Sequence, residues 1–252
     1  MSYVHKINKS RFLLKKFLDT DWDISSISDY SDEEIEKLYN LKVSKNSPIS
    51  FGKASNLNFT LEHKQIKDHK LHIIYYNFPE INSQALKITK QCADKMGKLY
   101  SEEIINPEDS IILIIAEYIG ENVEKAIEDL YKLGQDQLKI NNLSDNILSE
   151  NEKLGKEKYR HEYFRNIHIF NIDNLSFDIS NNVTVPKHEC IRDKDMIEKI
   201  LKKTNTTTDQ LPIIMRTDPM AKLLRLCPGD ICEITRKSER CGEYKYYRVC
   251  KL

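Results

Sequence analysis

The sequence RTDPMAKLLRLCPGDICEITRKSERCGEYKYYRVC, residues 216–250, decides the fold of the C-terminal part of the chain. Asp218-Pro219 predicts a helix start, because the aspartate side chain can accept a hydrogen bond from a first-turn amide and proline at the first helical position loses none. Pro228-Gly229 suits the two central positions of a type II turn. Local backbone chemistry therefore predicts a helix that begins at residue 219 and a sharp reversal near residue 229.

Two strands follow the predicted turn, over residues 231–236 and 244–250, and the loop between them contains Gly242, which can take positive φ. Upstream of the turn, apolar residues at helical spacing predict a helix over residues 195–203. The segment therefore indicates a small α+β domain, which we place at residues 185–252.

The composition of the 252-residue chain is typical of a soluble globular protein, with 40% hydrophobic and 31% charged residues. Lys plus Arg equals Asp plus Glu at 39 each, so the net charge gives no general attraction to nucleic acid or membranes. The longest apolar run, IILIIA at residues 111–116, is far shorter than the ~20 residues of a membrane-spanning helix. Because MSYVHKINKS has no signal-peptide pattern, we expect an intracellular, soluble protein with reduced cysteines.

The middle of the chain has the alternating pattern of an α/β domain. KLHIIYYN at residues 70–77 and IILIIAEYI at residues 111–119 predict strands, the second of them covered on both faces. A helix follows the second strand, and we expect Gly134 to end it. Residues 135–158 are polar and predict an insertion or a flexible segment within an N-terminal domain at residues 1–184.

Two helices are predicted nearer the N-terminus. Residues 11–18 have the spacing of a short amphipathic helix with Phe12, Leu13 and Phe17 on its apolar side. A second helix is expected to start at Ser31, because Ser31 and Glu34 have capping-box spacing and each side chain can accept from the other residue's amide.

Four cysteines of the C-terminal segment, Cys227, Cys232, Cys241 and Cys250, are candidates for a zinc site. Structural zinc sites take ligands in pairs two to four residues apart, so that one turn supplies two thiolates. Cys241 and Cys250 instead lie at opposite ends of a predicted strand, roughly 25–30 Å apart at ~3.3 Å per residue. We therefore predict no zinc site and no other metal.

A metal-dependent nuclease is a second candidate, because Glu62-His63-Lys64 has the Glu-x-Lys spacing of such sites. The triplet is expected by chance in a chain rich in lysine and glutamate, and no acidic strand residue is an evident partner. His63, His69 and His72 are interleaved with lysines, and we expect them to be solvated. No Walker, G-x-S-x-G or H-E-x-x-H motif occurs, so the sequence favours a protein without an active site of its own.

Five blocks of the C-terminal segment occur in a distinctive order: VPKH, QLP, TDPMAKLL, PGDICEITRKSE and GEYKYYRVC. Together they resemble the C-terminal domain of the fifth subunit of eukaryotic nuclear RNA polymerases, which is shared by polymerases I, II and III and has a shorter archaeal equivalent without the N-terminal half. The N-terminal half is similar to the jaw domain of the eukaryotic subunit much more loosely, through RFLLKKFLDTDWDI, the strand and helix at residues 111–133, and HIFNIDNLSFDIS.

The resemblance implies a non-catalytic polymerase subunit that needs no cofactor, does not contact membranes and works within a heteromultimer. Its C-terminal domain would dock on the largest subunit and the polymerase core. Its N-terminal domain would form part of the lower jaw near downstream duplex DNA, with a restriction-endonuclease-like sheet, flanking helices and no catalytic site. The alternatives are a nuclease-like enzyme and a stand-alone transcription adaptor with a borrowed docking domain.

Two sources fit the divergence of the N-terminal half and the abundance of Asn, Ile and Lys. A large cytoplasmic DNA virus would place the protein in the virion and in the host-cell cytoplasm. An AT-rich protist would place it in the nucleus.

Residues at matching motif positions are candidates for docking on the largest subunit: His188, Asp218, Pro219, Gly229, Arg236, Gly242, Tyr247 and Arg248. The aspartate, the proline and the two glycines have an alternative role, which is to shape the backbone of the domain itself. The arginines and the tyrosine are stronger candidates for contact, because these residue types dominate interface energetics.

The loop after the buried strand is the candidate for a position near downstream DNA, through Gly120, Asn122 and Lys125. Glu121 and Glu124 make this loop a poor phosphate binder by itself. We therefore expect its contact with DNA to be weak and transient.

Overall fold

The computed structural model describes residues 2–41, 48–81, 83–153, 159–238, 240 and 242–252. The chain forms two compact units. The N-terminal unit comprises Met1–Ile147 and Arg165–Phe177, and the C-terminal unit comprises Leu148–Phe164 and Asp178–Leu252. The boundary predicted between residues 184 and 185 therefore falls inside the C-terminal unit, shortly after its second segment begins.

The N-terminal unit contains a mixed four-stranded sheet. In sheet order, its strands are β1 (Phe59–Glu62), β2 (Lys70–Tyr76), β3 (Ser110–Ile115) and β4 (Ile167–Asn171). β1 is antiparallel to β2, whereas β2, β3 and β4 are parallel. Every residue of β3 is buried, which confirms the prediction of a strand covered on both faces.

Helices pack on both faces of this sheet. They include α1 (Tyr3–Leu18), α2 (Asp32–Asn40), α3 (Gln91–Ser101) and α4 (Glu121–Asn141). The next helix, α5 (Asp145–Lys153), begins in this unit and ends in the C-terminal unit. Met96 of α3 and Ile127 of α4 share a buried cluster with Leu113 of β3. On the other face, the hydroxyl of Tyr75 in β2 lies 3.0 Å from that of Ser10 in α1. The unit is therefore an α/β layer structure, as predicted.

The first helix differs from its prediction, whereas the second agrees. α1 begins well before residue 11 and buries Leu13 and Leu14, while Phe12 is 76% exposed. A longer helix buries the face that is apolar along its whole length, and Phe12 lies off that face. The capping box is confirmed, because the Ser31 amide donates to Glu34 Oε2 (2.8 Å) and the Glu34 amide donates to Ser31 Oγ (3.3 Å).

The prediction that Gly134 ends its helix is wrong, because α4 continues through Gly134 to Asn141. A Cβ at Gly134 would lie 2.6 Å from Arg165 Nε, so this glycine makes room for a packed side chain. Arg165 in turn stacks on the Tyr100 ring at 4.1 Å. The segment predicted as an insertion or flexible at residues 135–158 contains the end of α4 and all of α5, and its residues 154–158 lie outside the described residues.

The C-terminal unit contains a second four-stranded sheet and the helices that pack on it. In chain order, the elements are β5 (Lys187–Ile191), α6 (Lys194–Thr204), β6 (Ile213–Met215), α7 (Pro219–Leu223), β7 (Ile231–Ser238) and β8 (Gly242–Lys251). The strand order is β5-β7-β8-β6, in which β6 pairs parallel to β8 and the other neighbours are antiparallel. The structure confirms the predicted α+β order of this segment.

Helices α6 and α7 lie on opposite faces of this sheet. On the α6 face, Ile231 and Val249 pack with Leu201. On the α7 face, Cys232 and Ile234 pack with Ala221, which belongs to α7 itself. Side chains alternate between the two faces along each strand, so the odd-numbered and even-numbered residues of one strand lie on opposite faces.

The predicted turn at Pro228-Gly229 is confirmed. The Asp230 amide donates to the Cys227 carbonyl (2.9 Å) and Gly229 has φ +87°, as a type II turn requires. Arg160 lies against this turn, because its Nη2 donates to the Pro228 carbonyl (3.0 Å) and to Asp230 Oδ1 (2.9 Å). A Cβ at Gly229 would lie 2.2 Å from Arg160 Nη1, so both the backbone and the guanidinium group require glycine.

We predict that Gly229→Ala lowers the free energy of opening of the β7 and β8 amides by about 2 kcal/mol or more, through backbone strain and displacement of Arg160. Native-state hydrogen exchange of the full chain measures this free energy. Gly242→Ala is the matched control, because Gly242 has φ +70° and a Cβ there meets nothing within 4 Å. The control should lose only about 1 kcal/mol, and equal losses at the two glycines would contradict a role for Arg160.

Candidate docking surface

A buried carboxylate organises the turn that precedes β7. Asp230, which is 3% exposed, accepts from Arg160 Nη2 (2.9 Å), from Arg192 Nε (3.2 Å) and from the Cys227 amide (2.9 Å). A buried ion is tolerated only when it is paired and hydrogen-bonded, and here both carboxylate oxygens are used. The carboxylate thus ties residues from two other parts of the C-terminal unit to one turn.

Asp218 and Pro219 begin α7 as predicted. Asp218 Oδ1 accepts from the Met220 amide (2.8 Å) and from the Ala221 amide (3.4 Å), and Pro219 occupies the first helical position. Together with Gly229 and Gly242, both at positive φ, these residues shape the backbone of their own unit. The geometry of Asp218, Pro219, Gly229 and Gly242 agrees with the alternative role, which is to shape the backbone of the domain itself.

Two predicted arginines flank an aromatic ring on the α7 face of the sheet. The guanidinium carbons of Arg236 and Arg248 lie 4.6 Å and 5.6 Å from the Tyr246 ring centroid. His188 pairs with Ile234 across β5 and β7 and therefore lies on the same face; its Nδ1 must donate to the Pro186 carbonyl, 2.7 Å away. We call the surface formed by His188, Arg236, Tyr246 and Arg248 the arginine–tyrosine face.

Tyr247 lies on the opposite face of the sheet. It pairs with Glu233 of β7, whose Oε1 lies 2.6 Å from Lys245 Nζ. Burial, followed by the Glu233 carboxylate, raises the pKa of Tyr247. Glu233 and Lys245 line a groove of about 980 Å³ together with residues 180–187. The predicted docking residues therefore do not form a single patch, since Tyr247 is separated by the sheet from Arg236 and Arg248.

Sequence reasoning missed Tyr246 and Arg160. Strand alternation could have identified Tyr246, because it shares a face with Arg248 two residues away. Arg160 follows a polar stretch and has no local motif, so only the folded structure brings it to the turn.

The predicted DNA-proximal residues Gly120, Asn122 and Lys125 line a cleft of about 950 Å³ in the N-terminal unit, beyond the carboxyl end of β3. The cleft is also lined by charged residues of both signs: Lys87, Lys90, Glu117, Glu121 and Asp129. Gly120 precedes α4 with φ −76°, a value open to any residue. Tyr118, beside the cleft, is 84% exposed.

The Glu62-His63-Lys64 triplet takes part in the turn after β1. His63 Nδ1 accepts from the amides of Gln65 (3.1 Å) and Ile66 (2.9 Å). Lys64 Nζ lies 2.8 Å from Asp19 Oδ1. These contacts give His63 and Lys64 local structural partners, and neither needs a metal or a phosphate.

The expectation of solvated histidines is wrong. His63, His69 and His72 are all buried, and His69 is 0% exposed. The rings of His63 and His69 each lie 5.1 Å from the Trp22 ring, whereas His72 Nε2 lies 3.1 Å from Asp109 Oδ2. Lys64 and Lys67, which are interleaved with these histidines, are exposed. Their ammonium groups therefore stay in water while the imidazole rings pack inward.

Within the described residues, no group of three His, Cys, Asp or Glu side chains could hold a metal ion, and no helix is long and apolar enough to cross a membrane. Cys241, one of the candidate zinc ligands, lies outside that part of the chain. Burial raises the pKa of Cys232 and of Cys250 to about 12 each, so both side chains are neutral thiols.

Comparison with known proteins places the C-terminal sequence in one family. The model of the family "RNA polymerase Rpb5, C-terminal domain" matches residues 177–250. The DNA-directed RNA polymerase subunit Rpo5 of Pyrococcus abyssi is 44% identical over 73 residues, which are 29% of this chain and 88% of the relative. Rpo5 of Archaeoglobus fulgidus is 41% identical over 75 residues, 30% of this chain and 97% of the relative.

Rpo5 of Sulfurisphaera tokodaii is 45% identical over 74 residues, 29% of this chain and 87% of the relative. The alignments thus account for nearly the whole length of these archaeal proteins. The family match ends at residue 250 and includes the turn, both helices and all four strands of the C-terminal sheet up to that residue. The chain therefore belongs to the Rpb5/Rpo5 family of DNA-directed RNA polymerase subunits.

Proposed function

We propose that this chain is a non-catalytic subunit of a multisubunit DNA-directed RNA polymerase and docks on the largest subunit through its C-terminal unit. The family match over residues 177–250 supports the polymerase assignment. The geometry adds one observation: Arg236 and Arg248 lie on one face of the C-terminal sheet, beside the Tyr246 ring. Arginine and tyrosine side chains are among those that dominate interface energetics.

The arginine–tyrosine face is suited to docking because its side chains are held before a partner arrives. Tyr246 supports both guanidinium groups through cation–π contacts. Side chains that are already ordered lose little conformational entropy on binding. The partner surface that fits two fixed guanidinium groups is acidic, or presents backbone carbonyls at its rim.

The N-terminal unit is proposed to form part of the lower jaw near downstream DNA, within the assembled polymerase. Its mixed α/β sheet is compatible with a restriction-endonuclease-like fold, which stays a prediction. The cleft beside Gly120 has three lysines and three carboxylates in its lining. Equal numbers of positive and negative side chains support a weak contact with phosphates and not independent DNA binding.

The cellular location stays a prediction, because it depends on the source. The relatives are subunits of archaeal, and hence cellular, RNA polymerases. A virion and host-cytoplasm location for a viral protein, or a nuclear one for a eukaryotic protein, would follow from the polymerase with which this chain assembles.

The first test of the proposal is copy number. A tagged chain purified natively from its source should co-elute with one copy of the largest and one of the second-largest polymerase subunit, as quantified by mass spectrometry. Substoichiometric recovery on polymerase would instead favour a transcription adaptor. Elution alone, with metal-dependent DNA cleavage that Glu62→Ala and Lys64→Ala abolish, would favour the nuclease alternative.

Docking through the arginine–tyrosine face predicts that Arg248→Ala weakens binding to the largest subunit at least tenfold, about 1.4 kcal/mol. A binding titration with the full-length chain measures this loss, and circular dichroism verifies that the variant is folded. Lys245→Ala is the matched control, since Lys245 is a cation of the same strand on the opposite face. Unchanged affinity for Arg248→Ala, or an equal loss for Lys245→Ala, would argue against this face.

The proposed jaw position predicts a small electrostatic effect of Lys125. In the assembled polymerase, Lys125→Ala should weaken downstream DNA binding and reduce the slope of log K against log salt by about 1. Lys139→Ala is the control, because Lys139 lies near the far end of the same helix. An identical salt slope for Lys125→Ala and the parent protein would remove this cleft from the DNA path.

A further inference from the structure

Cys190 of β5 and Cys232 of β7 are direct cross-strand partners. The type of pair follows from the hydrogen bonds of β8. The Cys250 amide donates to the Asp230 carbonyl (2.8 Å). Because every second residue of a strand bonds to the same neighbouring strand, Asp230, Cys232 and Ile234 form their backbone hydrogen bonds with β8. Cys232 therefore uses its own backbone groups towards β8, and Cys190–Cys232 is a non-hydrogen-bonded pair of β5 and β7.

The hydrogen bonds between β8 and the β6 side lead to the same assignment. The Val249 amide donates to the Pro212 carbonyl (2.9 Å) and the Arg216 amide donates to the Lys251 carbonyl (2.8 Å). Val249 and Lys251 thus bond outward to the β6 side, which leaves Arg248 and Cys250 to bond to β7. Arg248 is the partner of Cys232, so this second set of bonds confirms the assignment.

A non-hydrogen-bonded antiparallel pair places two side chains close together on one face, with Cα atoms about 4.5 Å apart. Disulfides span Cα separations of about 4.4–6.8 Å. Both cysteines are in the thiol form in this structure. We propose that Cys190 and Cys232 are a redox modification site, at which a peroxide converts the two thiols into an intramolecular disulfide.

The surroundings assign a different role to each sulfur. Cys190 is half-buried, so its sulfur is the one of the pair that an oxidant can reach, and its thiol donates to Asp230 Oδ2 at 3.8 Å. Cys232 is fully buried. Hydrogen peroxide oxidises Cys190 to a sulfenic acid and releases one water molecule. The Cys232 sulfur then attacks the Cys190 sulfur, and the S–S bond forms as a second water leaves. The sum is two thiols and one peroxide to one disulfide and two waters.

The disulfide would join the edge strand β5 to the central strand β7. It would close a loop that contains α6, β6 and α7, and closing a loop restricts the unfolded chain. His188 lies two residues before Cys190 on the same face, so the bond would also fix one margin of the arginine–tyrosine face.

The test is oxidation of the full-length chain with a small excess of hydrogen peroxide, followed by alkylation of remaining thiols and peptide mapping by mass spectrometry. The expected product is a Cys190–Cys232 linked peptide that dithiothreitol reverses, with slower hydrogen exchange of β5 amides. Cys190→Ser should abolish the product, whereas the matched control Cys92→Ser, a buried cysteine of the N-terminal unit, should leave it unchanged.

Two results would overturn the proposal. One is a disulfide that joins either cysteine to Cys227, Cys241 or Cys250 in place of the cross-strand partner. The other is oxidation of Cys190 to a sulfinic acid without a linked peptide. Cys232→Ser separates the two steps, since it should trap Cys190 as a sulfenic acid that a cyclic diketone labels. Absence of the label would show that Cys190 is not the sulfur attacked.

Discussion

The C-terminal unit depends on one ion cluster, in which the buried Asp230 carboxylate is paired with Arg160 and Arg192. Ions removed from water stabilise a fold only when every charge is matched and every polar atom is bonded. Because Asp230 bonds to Arg160 and to Arg192, the segment before residue 164 and the end of β5 both contact the turn before β7. The turn also bonds to the far end of β8, because the Gly229 amide donates to the Cys250 carbonyl (2.8 Å) and the Cys250 amide donates to the Asp230 carbonyl (2.8 Å). These bonds hold β8 in register with β7.

The same constraint holds together the residues of the arginine–tyrosine face. Sheet register determines which side chains share a face, and here it brings His188, Arg236, Tyr246 and Arg248 together. A rigid sheet holds cations at defined positions, which a mobile loop of the same composition could not do. In the N-terminal unit, by contrast, the charged cleft lies beyond a strand end and is lined by side chains of both signs.

What the sequence predicted well was determined by residues close together in the chain. Asp218-Pro219, Pro228-Gly229 and the Ser31–Glu34 capping box each act over at most three residues, and all three were confirmed. The errors arose where a distant side chain decided the outcome. Gly134 makes room for Arg165. His63 and His69 pack against Trp22, which lies much earlier in the chain. The sequence could not divide the candidate docking residues between the two faces, because motif positions do not reveal which side of a sheet each residue occupies.

Trp22 is an intrinsic fluorescence probe of the protein. This residue is the single indole of the chain, and two imidazole rings lie 5.1 Å from it. His63 Nδ1 also accepts two backbone amides, so the ring that packs on the indole is fixed by the turn after β1. In the purified chain, tryptophan emission therefore arises from one site and reports the unfolding of the N-terminal unit alone.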